Sequence, residues 1–186
     1  MRLAVVVSPF AAFALLMLVV SAEISLFASA GLMLVLTVVD AVQSRSPKIL
    51  QLGGAVLFAT LGAAIVLCDL KLPPNAIRAI VDAGLLSISL GSLVAGVPFT
   101  VQYARESVDD ATARRPLFHR INIVLTLIWS ASFAVMLAAD VLASYAPMLP
   151  LWTAAAIAFA ARNGAMLFTR WYPAHRSARA AAAASA

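Results

Sequence analysis

The chain has 186 residues, of which 63% are hydrophobic and 11% are charged, and its mean hydropathy is +0.99. A soluble domain of this size would expose too much apolar surface to stay dispersed, so the composition excludes a soluble globular protein. The net charge of +5 does not indicate a nucleic-acid partner, because the basic residues lie between apolar segments, as membrane topology requires. We therefore expect an all-α, polytopic transmembrane helical bundle.

Cysteine and histidine are too few to build a metal or disulfide framework. The single cysteine, Cys68, excludes an intrachain disulfide and a cysteine-cluster metal site, and His119 and His175 lie far apart in the sequence. The sequence contains no catalytic triad, no phosphate-binding loop and no metal-ligand spacing. We predict no catalytic residue, no metal and no cofactor.

Six apolar segments have about the 20 residues that a helix needs to cross a bilayer. Proline, glycine and charged residues separate them. The segments are residues 3–20, 24–42, 49–68, 77–97, 121–142 and 149–168. The first has the basic start and small-residue end of a secretory signal, and we interpret it as a retained first span. Residues 1–170 then form one transmembrane domain. The alanine-rich residues 171–186 form a low-complexity cytoplasmic tail, either disordered or a frayed continuation of the sixth helix.

Lysine and arginine are distributed unequally between the two sides of this topology. The amino terminus, the second and fourth connections and the tail carry ten of them, whereas the other three connections carry two, Lys71 and Arg78. By the positive-inside rule, both termini are expected to be cytoplasmic. Six spans also fit two inverted three-helix halves, in which Asp40 and Asp140 would occupy related positions.

Small residues recur every four positions in three of the spans. Such rows let helices approach closely in lipid, so we expect them at interior interfaces, although alanine abundance alone would also produce them. The rows are Ala55, Ala59 and Ala63; Ala83, Ser87, Gly91 and Ala95; and Ala156, Ala160 and Gly164.

Ionisable residues at membrane depth are costly and normally face the bundle interior or water. Asp82 follows Arg78 by one helical turn, which predicts an ion pair within the fourth span. Asp140 lies near the outer end of the fifth span and is expected to reach the interface.

Arg162, with Asn163 beside it, lies about two turns inside the sixth span from Arg170. Its side chain either extends to the cytoplasmic headgroups or pairs with an acid at similar depth. By topology, Asp40 is the best-placed acid and Glu106 the next.

One face of the fifth span carries polar and aromatic side chains at spacings of three and four. These are Asn122, Thr126, Trp129, Phe133, Met136 and Asp140. They suit a hydrogen-bonded seam between helices, and they would also suit the lining of a narrow pathway.

The segment VPFTVQYARES, residues 97–107, places five polar or charged side chains directly behind an apolar span: Thr100, Gln102, Tyr103, Arg105 and Glu106. Pro98 would kink the last turn of the fourth span, and Tyr103 would lie at headgroup level. Arg105 and Glu106 would meet water or phospholipid headgroups. The segment is thus an interfacial anchor or, together with Asn122 and Arg162, part of a functional site.

The PFTVQYARE block, followed on the next span by Asn122, Thr126 and Trp129, resembles a group of uncharacterised bacterial integral membrane proteins. The small multi-span layout is also loosely similar to the intracellular septation protein A family. The first resemblance covers about residues 80–142. It implies a bacterial inner membrane and supplies no activity.

Three functions remain open at this point. The first is a scaffold, assembly factor or accessory subunit whose partners are lipids and other membrane proteins or a second copy of the chain. The second is a small transporter or channel with a pathway lined by spans two, four, five and six. The third is an enzyme acting on lipid headgroups at the Gln102–Glu106 rim.

Overall fold

The computed structural model describes residues 2–43, 45–145 and 151–184. Within these ranges the fold is all-α, as expected, with eight α-helices, one short 3-10 turn and no strand. The elements are α1 (Arg2–Leu16), α2 (Ala22–Val42), α3 (Ile49–Leu67), α4 (Pro74–Val94), α5 (Phe99–Ala104), the 3-10 turn (Arg105–Ser107), α6 (Asp110–Ala113), α7 (Pro116–Tyr145) and α8 (Leu151–Ala184).

Four of the described helices, α2, α3, α4 and α7, are long and apolar enough to cross a membrane. They correspond to the predicted second to fifth spans. The helix α1 is shorter than the predicted first span, since it ends at Leu16 and turns follow it. In the other direction, α8 runs on to Ala184, so the alanine-rich tail is helical up to that residue. The predicted start of the sixth span, at residue 149, lies outside the described residues.

The long helices pack mainly on their neighbours in chain order, from α1 on α2 to α7 on α8, with α4 lying directly on α7. Aromatic rings join α1 to α3 within the core. The ring of Phe58 lies 5.1 Å from that of Phe13 and 6.1 Å from that of Phe10, measured between centroids. Leu26 and Met33 of α2 are fully buried beside them. The same buried cluster continues through α4, α5, α7 and α8.

Glycine allows α2 and α3 to approach closely. A side chain at Gly62 would begin 3.2 Å from the Phe27 ring, so only a residue without a Cβ fits there without displacing the ring. Ala55, in the predicted small-residue row of α3, is also buried.

The rows on α4 and α8 do not lie at interior interfaces, and the expectation that they would is wrong. Ser87, Gly91 and Ala95 of α4 are exposed, as are Ala156, Ala160 and Gly164 of α8. The opposite face of α4 packs on α7 through Leu85 and Ser89, which are larger or more polar and are fully buried. The face of α4 that turns inward is therefore the one that carries Leu85 and Ser89, and small residue size does not predict it.

The connection from α4 to α7 is folded rather than extended. The helix α4 ends at Val94, three residues before the predicted boundary, and Gly96 reverses the chain with φ of +72°. Pro98 does not kink α4; it precedes α5 as the N-cap residue. The amide of Phe99 donates to Ser92 Oγ at 3.1 Å, which fixes α5 against the end of α4.

Candidate functional site

A cavity of about 410 Å³ lies between α1 and α8, with α4 and α7 behind it. Five polar side chains line it: Arg78, Asp82, Asp140, Arg162 and Asn163. The remaining lining is apolar and consists of alanine, leucine, phenylalanine and methionine from α1, α7 and α8. A mostly apolar cavity with a few convergent charged groups is the usual form of a binding site for a small molecule.

An ion pair between two helices forms the inner wall of this cavity. Arg78 Nε of α4 lies 3.3 Å from Asp140 Oδ1 of α7, and the two side chains are 16% and 6% exposed. The same guanidinium donates a hydrogen bond to Asn75 Oδ1. The predicted ion pair between Arg78 and Asp82 is therefore wrong, because the arginine reaches across to α7. Asp140 likewise does not extend to the interface but is buried in this pair.

Asp82 and Arg162 complete a row of four charged groups, in which the two carboxyl groups lie between the two guanidiniums. The carboxyl groups of Asp82 and Asp140 lie side by side, within hydrogen-bonding reach of each other. On the other side, Asp82 and the Arg162 guanidinium attract each other electrostatically. The expectation that Arg162 pairs with Asp40 or Glu106 is wrong, since those acids lie at the opposite end of the bundle.

The Arg162 guanidinium differs from that of Arg78 in its contacts. Among the described residues it makes no hydrogen bond and no ion pair within 4.0 Å. The neighbouring amide of Asn163 donates to Phe159 O at 2.8 Å within α8. Arg162 thus presents hydrogen-bond donors at the cavity that no described protein atom accepts.

A second charged cluster lies where α2 ends and α3 begins, at the other end of the bundle, and we name it the Lys48 cluster. Lys48 Nζ lies 2.5 Å from Asp40 Oδ2 and 2.9 Å from Glu106 Oε1, while Arg45 approaches Asp40 at 3.4 Å. The Lys48 side chain is only 4% exposed. It also lies 5.6 Å from the centre of the Tyr103 ring. The expectation that Glu106 meets water is wrong, because this glutamate is 14% exposed and bound to Lys48.

Two residues of the VPFTVQYARES segment complete the Lys48 cluster. Gln102 Oε1 accepts a 2.7 Å hydrogen bond from the amide of Ile49, the first residue of α3, and so caps that helix. Tyr103 packs edge-on against Phe99, with ring centroids 6.4 Å apart. Burial of the phenol, with the nearby charges of Asp40 and Glu106, raises the pKa of Tyr103 above its ordinary value. Arg105, by contrast, is exposed.

The polar face of α7 forms hydrogen bonds to three other helices. Thr126 Oγ1 lies 2.9 Å from Thr100 Oγ1 of α5, which itself donates to Asn122 O at 2.8 Å. Ser130 Oγ lies 2.7 Å from Ser89 Oγ of α4. Further along the same face, Trp129 Nε1 donates to Thr169 Oγ1 of α8 at 3.1 Å. Thr126 and Trp129 join helices through their side chains, whereas Asn122 does so only through its backbone carbonyl. The side-chain amide of Asn122 donates to Phe118 O within α7, and none of these three residues lines the cavity.

Ten of the eleven candidate residues therefore fall into three separate places, and the eleventh, Arg105, is exposed. Arg162 and Asn163 line the cavity. Asp40, Gln102, Tyr103 and Glu106 belong to the Lys48 cluster, whereas Thr100, Asn122, Thr126 and Trp129 form the hydrogen-bonded seam of α7. The sequence pattern predicts only a structural role for Asp82 and Asp140, and only a topological charge for Lys48.

Comparison of the chain with protein-family models, curated protein sequences and solved structures gives no match. The resemblance carried by the PFTVQYARE block thus stays a prediction. Within the described ranges, no group of three or more histidine, cysteine, aspartate or glutamate side chains is arranged to hold a metal ion.

Proposed function

We propose that this chain is a membrane-embedded binding protein of the transporter or channel class, and that the cavity between α1 and α8 receives a small amphipathic molecule. One observation carries the proposal: two arginines and two aspartates converge on an otherwise apolar cavity inside the bundle. Ionised groups are expensive within a bilayer and normally mark a pathway or a ligand site. The pathway differs from the one expected, since α1 replaces the second span in its lining.

The proposal includes a six-span topology in a bacterial inner membrane, with both termini cytoplasmic. The four apolar helices α2, α3, α4 and α7 support the central part. The 34 residues of α8 give a length of about 51 Å, more than one bilayer crossing requires. The ten-to-two distribution of basic residues supports the orientation. An inverted repeat would relate Asp40 to Asp140, and each lies near the end of its helix in an ion pair with a basic residue.

On this topology the cavity lies in the outer half of the membrane. Asp82 is the ninth residue of α4 and Arg162 the twelfth of α8, so they lie about 12 Å and about 16 Å from the outer ends of their helices. A guanidinium at that depth needs water, an acid or a ligand around it.

Cysteine accessibility tests whether the cavity admits water and solutes. Cys68 is exposed and is first replaced by serine. Ala158→Cys then places a thiol in the cavity lining, whereas the matched control Ala160→Cys places one on the exposed outer face of the same helix. Maleimide reacts with the thiolate, which forms in water and not in lipid.

In lipid nanodiscs we expect Ala158→Cys to be labelled and Ala160→Cys to stay unlabelled until detergent is added. If Ala158→Cys reacts only after denaturation, the cavity is closed to solutes and the proposed function is refuted.

A second candidate function, association with another membrane helix, rests on the exposed row of α4. Within 4 Å of Gly91 no atom would meet an added side chain, so this part of the row is free to receive a neighbouring backbone. Gly91→Leu should then abolish self-association or partner crosslinking in native membranes. Gly31→Leu is the matched control, because Gly31 of α2 is equally open but lies between Phe27 and Val35 rather than in a row of small residues. Equal crosslinking in both variants would refute association through this row.

A further inference from the structure

We propose that the ligand of the cavity is a single-chain amphiphile with one carboxylate, bound by the Arg162 guanidinium, with its chain between α1 and α8. The inference rests on the proposed function and names the chemical class of the ligand. It follows from three properties of the cavity: the hydrogen-bond donors of Arg162 that no described atom accepts, the charges of the neighbouring groups, and the shape and polarity of the walls.

The first property is the free hydrogen-bonding capacity of Arg162. Of the two guanidiniums in the cavity, that of Arg78 is occupied by Asp140 and Asn75. That of Arg162 is attracted by Asp82 but has no acceptor within hydrogen-bonding distance among the described atoms. A guanidinium offers a planar pair of N–H donors that fits a carboxylate through two parallel hydrogen bonds. An incoming carboxylate would therefore fill the donors that the protein leaves open.

The second property limits the charge of the ligand. Asp82 is 5% exposed and Asp140 4% exposed, whereas Arg162 is only partly buried, so a molecule entering the cavity meets a positive group first. A cation would be opposed by Arg162 at the point of entry. A doubly charged anion would place its second charge close to Asp82 and Asp140, where like charges repel. A single negative charge satisfies both conditions.

The third property concerns the remainder of the ligand. The walls away from the charged row are apolar, and five of the eleven apolar lining residues are alanines: Ala11 and Ala14 of α1, and Ala154, Ala155 and Ala158 of α8. If a methylene group occupies about the volume of a water molecule, roughly 30 Å³, then the cavity holds a chain of about 13 methylenes. The volume thus suits one alkyl chain of intermediate length rather than the two chains of a phospholipid.

The mouth of the cavity is apolar as well. Leu15 of α1, Leu18 in the turn after α1 and Phe159 of α8 line the cavity, yet they are 65%, 69% and 70% exposed. In a bilayer these side chains would face acyl chains. An amphiphile dissolved in the outer leaflet could therefore enter sideways between α1 and α8, with its carboxylate moving inward to Arg162.

The experiment measures protection of the Ala158→Cys thiol from maleimide in phosphatidylcholine nanodiscs. Three probes share one chain and differ in head group: dodecanoate, dodecanol and dodecyltrimethylammonium. We expect dodecanoate to protect at the lowest free concentration. Arg162→Gln should raise the half-protecting concentration of dodecanoate about 10- to 100-fold and leave that of dodecanol unchanged.

Two further variants separate binding from folding. Arg162→Lys keeps the charge but loses the two-point contact, so it should bind dodecanoate with an intermediate affinity. Arg170→Gln removes an exposed arginine of the same helix that does not line the cavity, and protection should not change.

Each outcome distinguishes the two proposals. Equal protection by all three probes, with no effect of Arg162→Gln, would overturn the carboxylate inference and leave the proposed binding function standing. The carboxylate inference is also overturned if the thiol is labelled but no probe protects it. It is likewise overturned if phosphatidylglycerol in the nanodisc protects the thiol and dodecanoate adds nothing, because Arg162 would then bind a lipid phosphodiester. Failure of the Ala158→Cys thiol to react at all would overturn both.

Discussion

Replacing Lys48 by methionine should destabilise the protein strongly, although the residue lies at the end of the bundle. Methionine keeps the unbranched stem that packs near Tyr103 and removes the ammonium group that lies 2.5 Å from Asp40 and 2.9 Å from Glu106. Removing one partner of a buried ion pair costs about 3–5 kcal/mol, because the remaining charge stays desolvated. Asp40 and Glu106 are 13% and 14% exposed, and Asp40 keeps Arg45 at 3.4 Å. We therefore expect the lower end of that range, about 3 kcal/mol.

The assay is thermal unfolding in a mild detergent, followed by circular dichroism. For a chain of this length, each kcal/mol corresponds to a Tm change of about 2–4 °C, so Lys48→Met should lower Tm by about 6–12 °C. The matched control is Lys71→Met. Lys71 lies 3.9 Å from Asp69, but both side chains are almost fully exposed, at 86% and 90%. An exposed pair of this kind contributes less than about 1 kcal/mol.

An equal shift of the unfolding midpoint in Lys48→Met and Lys71→Met would refute the expected contribution of the buried Lys48 ion pairs to stability. A second variant checks the cause. Adding Glu106→Gln to Lys48→Met removes one of the two carboxylates that contact Lys48, so part of the lost stability should return.

Three further predictions concern the same contacts. Gln102→Ala removes the cap of α3 and should cost about 1 kcal/mol in the same unfolding assay, whereas Gln43→Ala, at an exposed position, should cost little. Thr126→Val deletes an interhelical hydrogen bond and should cost about 0.6 kcal/mol, against no measurable change for Thr60→Val, whose hydroxyl bonds only to its own helix. Because the pKa of Tyr103 is raised, the folded state keeps the phenol proton while the unfolded chain loses it near pH 10. Stability should therefore fall as the pH rises above about 10. Tyr103→Phe should remove the part of this fall that the phenol causes.

Composition and periodicity were sufficient to predict the helical class and the central spans, because hydrocarbon requires long apolar helices whatever their packing. They also predicted that Asn122, Thr126 and Trp129 share one face of α7. The ion-pair partners of the charged residues were predicted less well. Whether Arg78 bonds within α4 or to α7 depends on the rotation of two helices about their axes, which no local pattern in α4 contains.

The depth of each side chain, counted from the end of its helix, predicts the partner of Arg162 better than the distance along the sequence from Arg170. Counted from the helix ends that face the same side, Asp82 and Arg162 lie within about 5 Å of each other in depth, a difference that an arginine side chain bridges. Asp40 is the third residue from the end of α2 on the other side. Counting residues from the helix ends does not reveal that Lys48 is buried. Lys48 becomes buried because the short helix α5 folds back over the start of α3.

The packing of the helices in chain order has a consequence for how the protein assembles. Each helix emerging from the ribosome finds the surface it needs on the helix made just before it, so most contacts close over short stretches of chain and assembly can proceed in step with synthesis. The junction of α1 with α8 is different, because the first helix must wait for the last. The cavity lies at this late junction, so its lining is complete only after α8 has packed.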